Sequence, residues 1–201
     1  MKAVIFDMDG VIVDSEAVHT KVKIQALHEY GIECSPEECI PYFGRSSRAF
    51  FSDFIKHSPK NIPLEKIEAR KQELFVDYIT GDGDISPVSG AIELIKDLNK
   101  RNVPIALASS AVRANIEIFL NKFDVYNDFN VILSGAELSE SKPNPEIYLL
   151  AASRLGMKPQ DCMVIEDAES GIIAAKRAGS YCVAYCNPSY KGHGQNVSLA
   201  D

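Results

Sequence analysis

The sequence lacks the features that define several large functional classes. No apolar run approaches the roughly 20 residues needed to span a bilayer, and the N-terminal MKAVIFDMDG holds one lysine and an apolar stretch too brief for a signal peptide. Basic residues do not predominate: 21 Lys and Arg stand against 28 Asp and Glu, a net charge of −7. Polyanions such as nucleic acid or an anionic membrane therefore have no evident patch to bind. Neither G-x-x-x-x-G-K-[ST] nor a G-x-G-x-x-G after the first apolar run is present, so the usual nucleotide-cradling loops are missing. The five cysteines (Cys34, Cys39, Cys162, Cys182, Cys186) are odd in number and lack C-x-x-C spacing; they are read as reduced and structural. Without a secretory signal the sequon Asn196-Val197-Ser198 is read as chance. There is no internal repeat or low-complexity segment. These absences leave a cytoplasmic, monomeric protein acting on a small molecule, with no nucleic acid or membrane partner, as the expectation. The abrupt stop at Ser198-Leu199-Ala200-Asp201 suggests that a few terminal residues are missing.

What is present is ordinary globular material, 46% hydrophobic and 24% charged. Short apolar runs rich in β-branched residues at Ala3 to Phe6, Val103 to Ala108, Val131 to Leu133, Cys162 to Ile165 and Tyr181 to Tyr185 predict strands buried on both faces. Amphipathic segments at Ser89 to Lys100, Val112 to Lys122, Pro145 to Leu155 and Ser170 to Ala178 alternate with them, which predicts an α/β fold with a Rossmann-like parallel sheet. One stretch breaks the alternation. Helical patterns at Glu16 to Tyr30, Ser35 to Tyr42, Ser46 to His57 and Leu64 to Thr80, divided by Gly31, Gly44 and a turn cluster from Ser58 to Pro63, predict a small α-helical insert. The expected division is a core of residues 1–14 and 83–201 and a helical cap of residues 15–82. Gly81-Asp82-Gly83-Asp84 forms a candidate hinge between them.

The chemistry is expected at the strand ends. In an extended segment residues i and i+2 point the same way, so Asp7 and Asp9 of FDMDGV project together from the end of the first strand, where open α/β sheets bind ligands. Two like charges so close ask for a cation, a shared proton, or both, and hard oxygen donors with no His or Cys beside them favour magnesium over zinc. The bland alternative is one aspartate capping a turn and the other solvated. Further strand ends weigh against it. Ser109-Ser110 offers hydroxyls and backbone amides to an anion, with Ser110 also suited to cap the next helix. Lys142 in SKPNP precedes a proline-started helix, and Glu166-Asp167 adds a second acidic pair. Phosphoryl transfer needs this set: a nucleophile in line with phosphorus, cations for its oxygens and an acid for the leaving group.

DMDGV at Asp7 to Val11, the Ser109 turn, Lys142 in SKPNP and Glu166-Asp167 in VIEDAESG with Gly171 resemble the four motifs of the haloacid dehalogenase superfamily, and DSEAVH at Asp14 to His19 resembles its beta-phosphoglucomutase-like phosphatase branch. The resemblance covers essentially the whole chain. It implies that Asp7 is the nucleophile and a magnesium ligand, and that Asp9 is the general acid/base with its carbonyl on the metal. Ser109 would bind the transferring phosphoryl group, Lys142 would stabilise its charge, and Glu166 and Asp167 would complete the magnesium site. In the cap it implies substrate-facing roles for His19 and Lys71 and a reading loop at Gly44, Arg45 and Ser46, although His19 also suits a packed helix face and Lys71 a charged run. Ser47 departs from the mutase pattern, which carries an arginine there for a second phosphate. The expected function is a magnesium-dependent phosphatase acting through an aspartyl phosphate on a small metabolite, most suitably a sugar phosphate, with a sugar phosphomutase as alternative. Two other classes fit poorly. A phospho-acceptor receiver would need an aspartate after Val131 to Leu133, where Ser134-Gly135 stands, and a degenerate scaffold would not keep every motif position filled.

Overall fold

The computed structural model describes residues 1–43, 46–58, 61–81, 83–188 and 195–201; Gly44 and Arg45 of the expected reading loop and Asp82 of the expected hinge lie outside the described residues. Strand β1 (Ala3–Phe6) is followed by four helices, α1 (Glu16–Glu29), α2 (Pro36–Cys39), α3 (Ser47–Lys56) and α4 (Leu64–Thr80). The chain then alternates: α5 (Ala91–Lys100), β2 (Ile105–Ser109), α6 (Arg113–Lys122), β3 (Val131–Ser134), α7 (Glu146–Arg154), β4 (Cys162–Glu166), α8 (Glu169–Ala178) and β5 (Tyr181–Ala184). The strands form one parallel sheet in the order β3-β2-β1-β4-β5. This is the expected α/β architecture with a helical insert after the first strand. β1 lies at the centre, so its end faces ligands from both halves of the sheet.

Alternation along β1 builds the core. Val4 and Phe6 join one apolar cluster, while Ala3 and Ile5 join a second on the opposite face. The first cluster continues through Met8, Val11, Ile12 and Val13 into Val22, Leu27, Phe50, Phe51, Ile67 and Phe75 of the inserted helices, so insert and sheet share one apolar mass. Prolines set the main departures from the expected boundaries. β2 starts at Ile105 rather than Val103, after Pro104, which offers its carbonyl to Val4 N at 3.1 Å but has no N–H for a ladder. The helix expected over Ser35 to Tyr42 changes to a 3-10 turn over Ile40–Tyr42 around Pro41, which lacks the donor an α-helix would use there. At the expected hinge Tyr78 Oη donates to Asp84 O at 3.3 Å and Lys122 Nζ to Gly83 O at 3.3 Å. Among the described residues no helix is long and apolar enough to cross a membrane.

Candidate active site

The D-x-D stretch works because the strand continues just past its last ladder residue and then turns sharply. Asp7 N donates to Ile165 O at 3.0 Å, which extends the β1–β4 register and delivers the Asp7 carboxylate to the sheet's carboxyl end. Met8 turns inward and is fully buried. Gly10 takes a positive φ of 78°, the left-handed conformation that glycine adopts without steric cost, and Ile12 N and Val13 N return to Met8 O at 2.8 and 3.0 Å. Asp9 is thereby held in a bridge to Val13 with its side chain a third exposed.

Behind Asp7 lies a densely bonded knot. Lys142 Nζ donates to Asp7 Oδ1 at 2.6 Å, Glu166 Oε1 at 2.7 Å and Ala108 O at 2.9 Å, and its side chain is only 6% exposed. Glu166 also accepts from Tyr148 Oη at 2.6 Å, and its Oε2 takes the Asp167 and Ala168 amides at 3.0 and 3.1 Å. Gly171 makes room for it, since a Cβ there would collide with the Glu166 carboxylate. Burial would lower the Lys142 ammonium, but the charges of Asp7 and Glu166 hold it above its ordinary value. Burial pushes Asp7 up to about 8, the Lys142 cation opposing and Glu166 adding to the rise.

Asp7, Glu166 and Asp167 are buried, and each offers an oxygen within 4.8 Å of the others. The Asp167 carboxylate accepts no hydrogen bond or ion pair among the described residues, and burial followed by the charges of Asp7 and Glu166 raises it well above the carboxylate range. Three buried acids beside one lysine, all oxygen donors, fit a hard divalent cation, which would reverse these upward shifts. Glu166 has donors on both oxygens, so Asp7 and Asp167 are the freer ligands.

Around Asp9 one partner is close and one is distant. Ser15 Oγ donates to its Oδ1 at 2.5 Å, and His19 Nε2 lies 3.5 Å away. Burial acts upward on Asp9, but His19 and Ser15 together bring it below its usual value. His19 is stacked on Phe75 with ring centroids 4.4 Å apart, and its Nδ1 is 3.1 Å from Lys71 Nζ. Burial and then the Lys71 charge push His19 down to about 4, and burial with the Lys23 charge brings Lys71 to about 8. At neutral pH the imidazole is therefore uncharged, with Lys71 donating to Nδ1 and the Nε2 proton left for Asp9.

These residues share a cavity of about 480 Å³ lined by Asp7, Asp9, His19, Ser46, Lys71, Ser110, Lys142, Glu166 and Asp167, within the range of small-ligand sites. Ser109 sits just behind, buried, accepting from Ala111 N at 3.0 Å. Ser110 does not cap α6 as expected: Val112 holds the N-cap position without a side-chain bond, because the Ser109 hydroxyl has already turned the chain. Ser46 caps α3, accepting from Ala49 N at 3.2 Å. Sequence reasoning missed Ser15, Glu16, Lys23 and Tyr148. Glu16, His19 and Lys23 fall at i, i+3 and i+7, one helix face, so the signal was available for Glu16 and Lys23 of α1; Tyr148 is indistinguishable from the apolar stripe of α7.

A central strand ending in paired acids, a buried lysine on one of them and an acidic cluster beyond therefore meet at the carboxyl end of a parallel sheet, with inserted helices lining the same cavity. The chain belongs to the haloacid dehalogenase-like hydrolase family, which matches residues 4–185. It is 32% identical over 208 residues to beta-phosphoglucomutase of Bacillus subtilis (strain 168), covering 100% of this chain and 88% of that one. It is 31% identical over 182 residues to the bifunctional riboflavin kinase/FMN phosphatase of Arabidopsis thaliana, covering 90% of this chain but 47% of that protein; the chain thus spans less than half the length of some curated relatives it matches. The crystal structure of CbbY from Rhodobacter sphaeroides in complex with phosphate superposes with a TM-score of 0.79 at 27% identity, covering 92% of this chain and 85% of that one. These relatives set it in the beta-phosphoglucomutase-like branch.

Proposed function

We propose that the protein is a magnesium-dependent phosphatase that hydrolyses a small phosphorylated metabolite, a sugar phosphate, through an aspartyl phosphate on Asp7, with residues 15–82 acting as a cap over a core of residues 1–14 and 83–201. The observation that carries this reading is the Lys142 ammonium, 2.6 Å from Asp7 Oδ1 and tied to Glu166 and the Ala108 carbonyl. It fixes one carboxylate of the pair at the strand end and supplies positive charge where phosphoryl oxygens would sit.

Asp9, ionised in the free site, takes up a proton when the negative charge of a bound phosphate raises its affinity for one; in the first step an Asp7 oxygen attacks phosphorus, the ester P–O bond breaks, and the departing alkoxide takes that proton from Asp9. In the second, Asp9 takes a proton from water, the water oxygen attacks phosphorus, and the bond to Asp7 breaks. Ser15 and His19 orient Asp9 between these roles, Ser109 and Ser110 with their amides receive phosphoryl oxygens, and Lys142 stays on the reacting group throughout. Asp7, Asp167, Glu166 and the Asp9 carbonyl would hold magnesium, which supplies charge neutralisation for the transferring group.

The likeness to beta-phosphoglucomutase along the whole chain favours a second reading, a sugar phosphomutase. Ser47, which lines the cavity, is too short and uncharged to grip a second phosphate. The test is a magnesium titration of purified protein with β-glucose 1-phosphate and a panel of sugar monophosphates, following free phosphate and glucose 6-phosphate together. Phosphate release without isomer formation is expected; conversion to glucose 6-phosphate with little free phosphate would establish the mutase instead.

A further inference from the structure

The helical wall of the cavity carries a buried charge pair that the mechanism above does not use. Lys23 of α1 is 4% exposed yet lines the cavity. Its ammonium makes no hydrogen bond among the described residues: the nearest carboxylate oxygen, Glu16 Oε1, is 3.8 Å away, and the Phe50 ring centroid lies at 5.5 Å. Glu16 lines the same cavity, and its buried Oε1 is likewise without a hydrogen-bond partner. A buried ammonium and a buried carboxylate normally close on each other or find other partners, because an unpaired charge in low dielectric is costly. Here the two stand 3.8 Å apart with no hydrogen bond between them, about one turn of α1 to either side of His19.

We propose that Glu16 and Lys23 form a specificity subsite that reads a hydroxyl group on the leaving-group side of the substrate, Lys23 donating to the hydroxyl oxygen and Glu16 accepting its proton. This deepens the phosphatase reading and rests on it. A hydroxyl satisfies both members at once, since it donates and accepts. A second phosphate or carboxylate could take Lys23 but would set an anion against Glu16. An apolar leaving group would leave both groups unpaired, the situation a polar site rejects most strongly. The pair therefore selects a polyhydroxylated monophosphate over both a bisphosphate and a hydroxyl-free ester. The environment agrees: burial pushes the Glu16 carboxyl up to about 7 against the Lys23 cation, as for an acceptor that lacks a donor.

The test compares kcat/KM for a panel of sugar and polyol monophosphates, for glucose 1,6-bisphosphate and for p-nitrophenyl phosphate in wild type, Lys23→Met and Glu16→Gln. In wild type the best hydroxylated monophosphate should exceed the bisphosphate by about ten-fold or more. The ratio of that monophosphate to p-nitrophenyl phosphate should fall about ten-fold or more in either variant, mainly through KM. Should Lys23→Met fail to fold, Glu16→Gln, which keeps the side-chain shape, carries the comparison alone. A bisphosphate preferred by wild type, or ratios unchanged in a folded variant, would overturn the subsite. If wild type hydrolyses no phosphomonoester at any magnesium concentration, it is the phosphatase reading that fails.

Discussion

The two walls of the cavity are built on opposite principles. On the sheet side, Lys142 and Glu166 are saturated with bonds of 2.6 to 3.1 Å drawn from β2, α7 and the residues just past the ends of β1 and β4, so positions hardly depend on a ligand. On the helical side Ser15 closes on Asp9 at 2.5 Å and Lys71 on His19 at 3.1 Å, but His19 stands 3.5 Å from Asp9 and Lys23 3.8 Å from Glu16, so these two pairs retain hydrogen-bonding capacity for whatever enters. On the proposed mechanism the fixed charge lies where bonds are made and broken and the unspent polarity where the substrate is recognised, the division expected when electrostatic stabilisation must be preorganised while selectivity comes from groups that are costly to leave unpaired.

The largest expected effect breaks the sheet side. Asp7→Asn should remove turnover while the protein folds and gives an unchanged far-ultraviolet spectrum; near wild-type activity in that variant would dismiss Asp7 as nucleophile. Lys142→Met should both inactivate and destabilise, because Asp7 and Glu166 lose their shared cation inside the protein. Breaking a buried pair costs about 3 to 5 kcal/mol, measurable as a lower denaturation midpoint with an unchanged slope. Equal stability would mean that Asp7 escapes the cost by protonating, and the loss should then grow as pH is raised.

A smaller effect tests the helical side through pH. The folded Glu16 carboxyl, at about 7, lies above its value of 4.5 in the unfolded chain. Its contribution to stability is therefore full below about 4.5 and is lost as pH rises through about 7. The shift corresponds to about 3 kcal/mol at most. Glu16→Gln should flatten the stability curve over that window and gain on wild type at pH 8. Parallel curves for the two proteins would show that Glu16 is not held in the environment described.

How much of this was legible beforehand follows the same division. The strands, the inserted helices and the strand-end acids, serine and lysine could be read because their physics is local: apolar runs, periodicity and the ends of elements. Helix α4 runs over Leu64–Thr80 as the pattern predicts. Lys71 is expected to face the substrate only through the family resemblance, since locally it is one member of the charged run Glu68 to Glu73; it lines the cavity, buried against Phe75 with its ammonium 4.8 Å from the ring, and only the packing of α1 on α4 decides that. Ser110 carried the sequence signature of a helix cap, yet the Ser109 turn displaced the cap to Val112. Tyr148, 18 residues before Glu166 on the preceding helix, gave no local signal at all.

Tyr148 offers the finest test of how tightly the sheet side is set. Its hydroxyl lies 2.6 Å from Glu166 Oε1, and its ring lies 4.9 Å from Lys142 Nζ. Burial, and after it the Glu166 charge, raise its ionisation well above the ordinary value, so it is a permanent donor. Tyr148→Phe keeps the ring and removes one of the four bonds to Glu166, a hydrogen bond to a charged group worth about 1.5 to 3 kcal/mol. If the knot is over-determined, the three remaining donors keep Glu166 in place: stability should fall toward the low end of that range, with the magnesium titration and the substrate ratios unaltered. If turnover fell several-fold while KM stayed constant, Tyr148 would be a positioning residue acting through Glu166 and Lys142, and the rigidity of the sheet side would hang on a single hydroxyl.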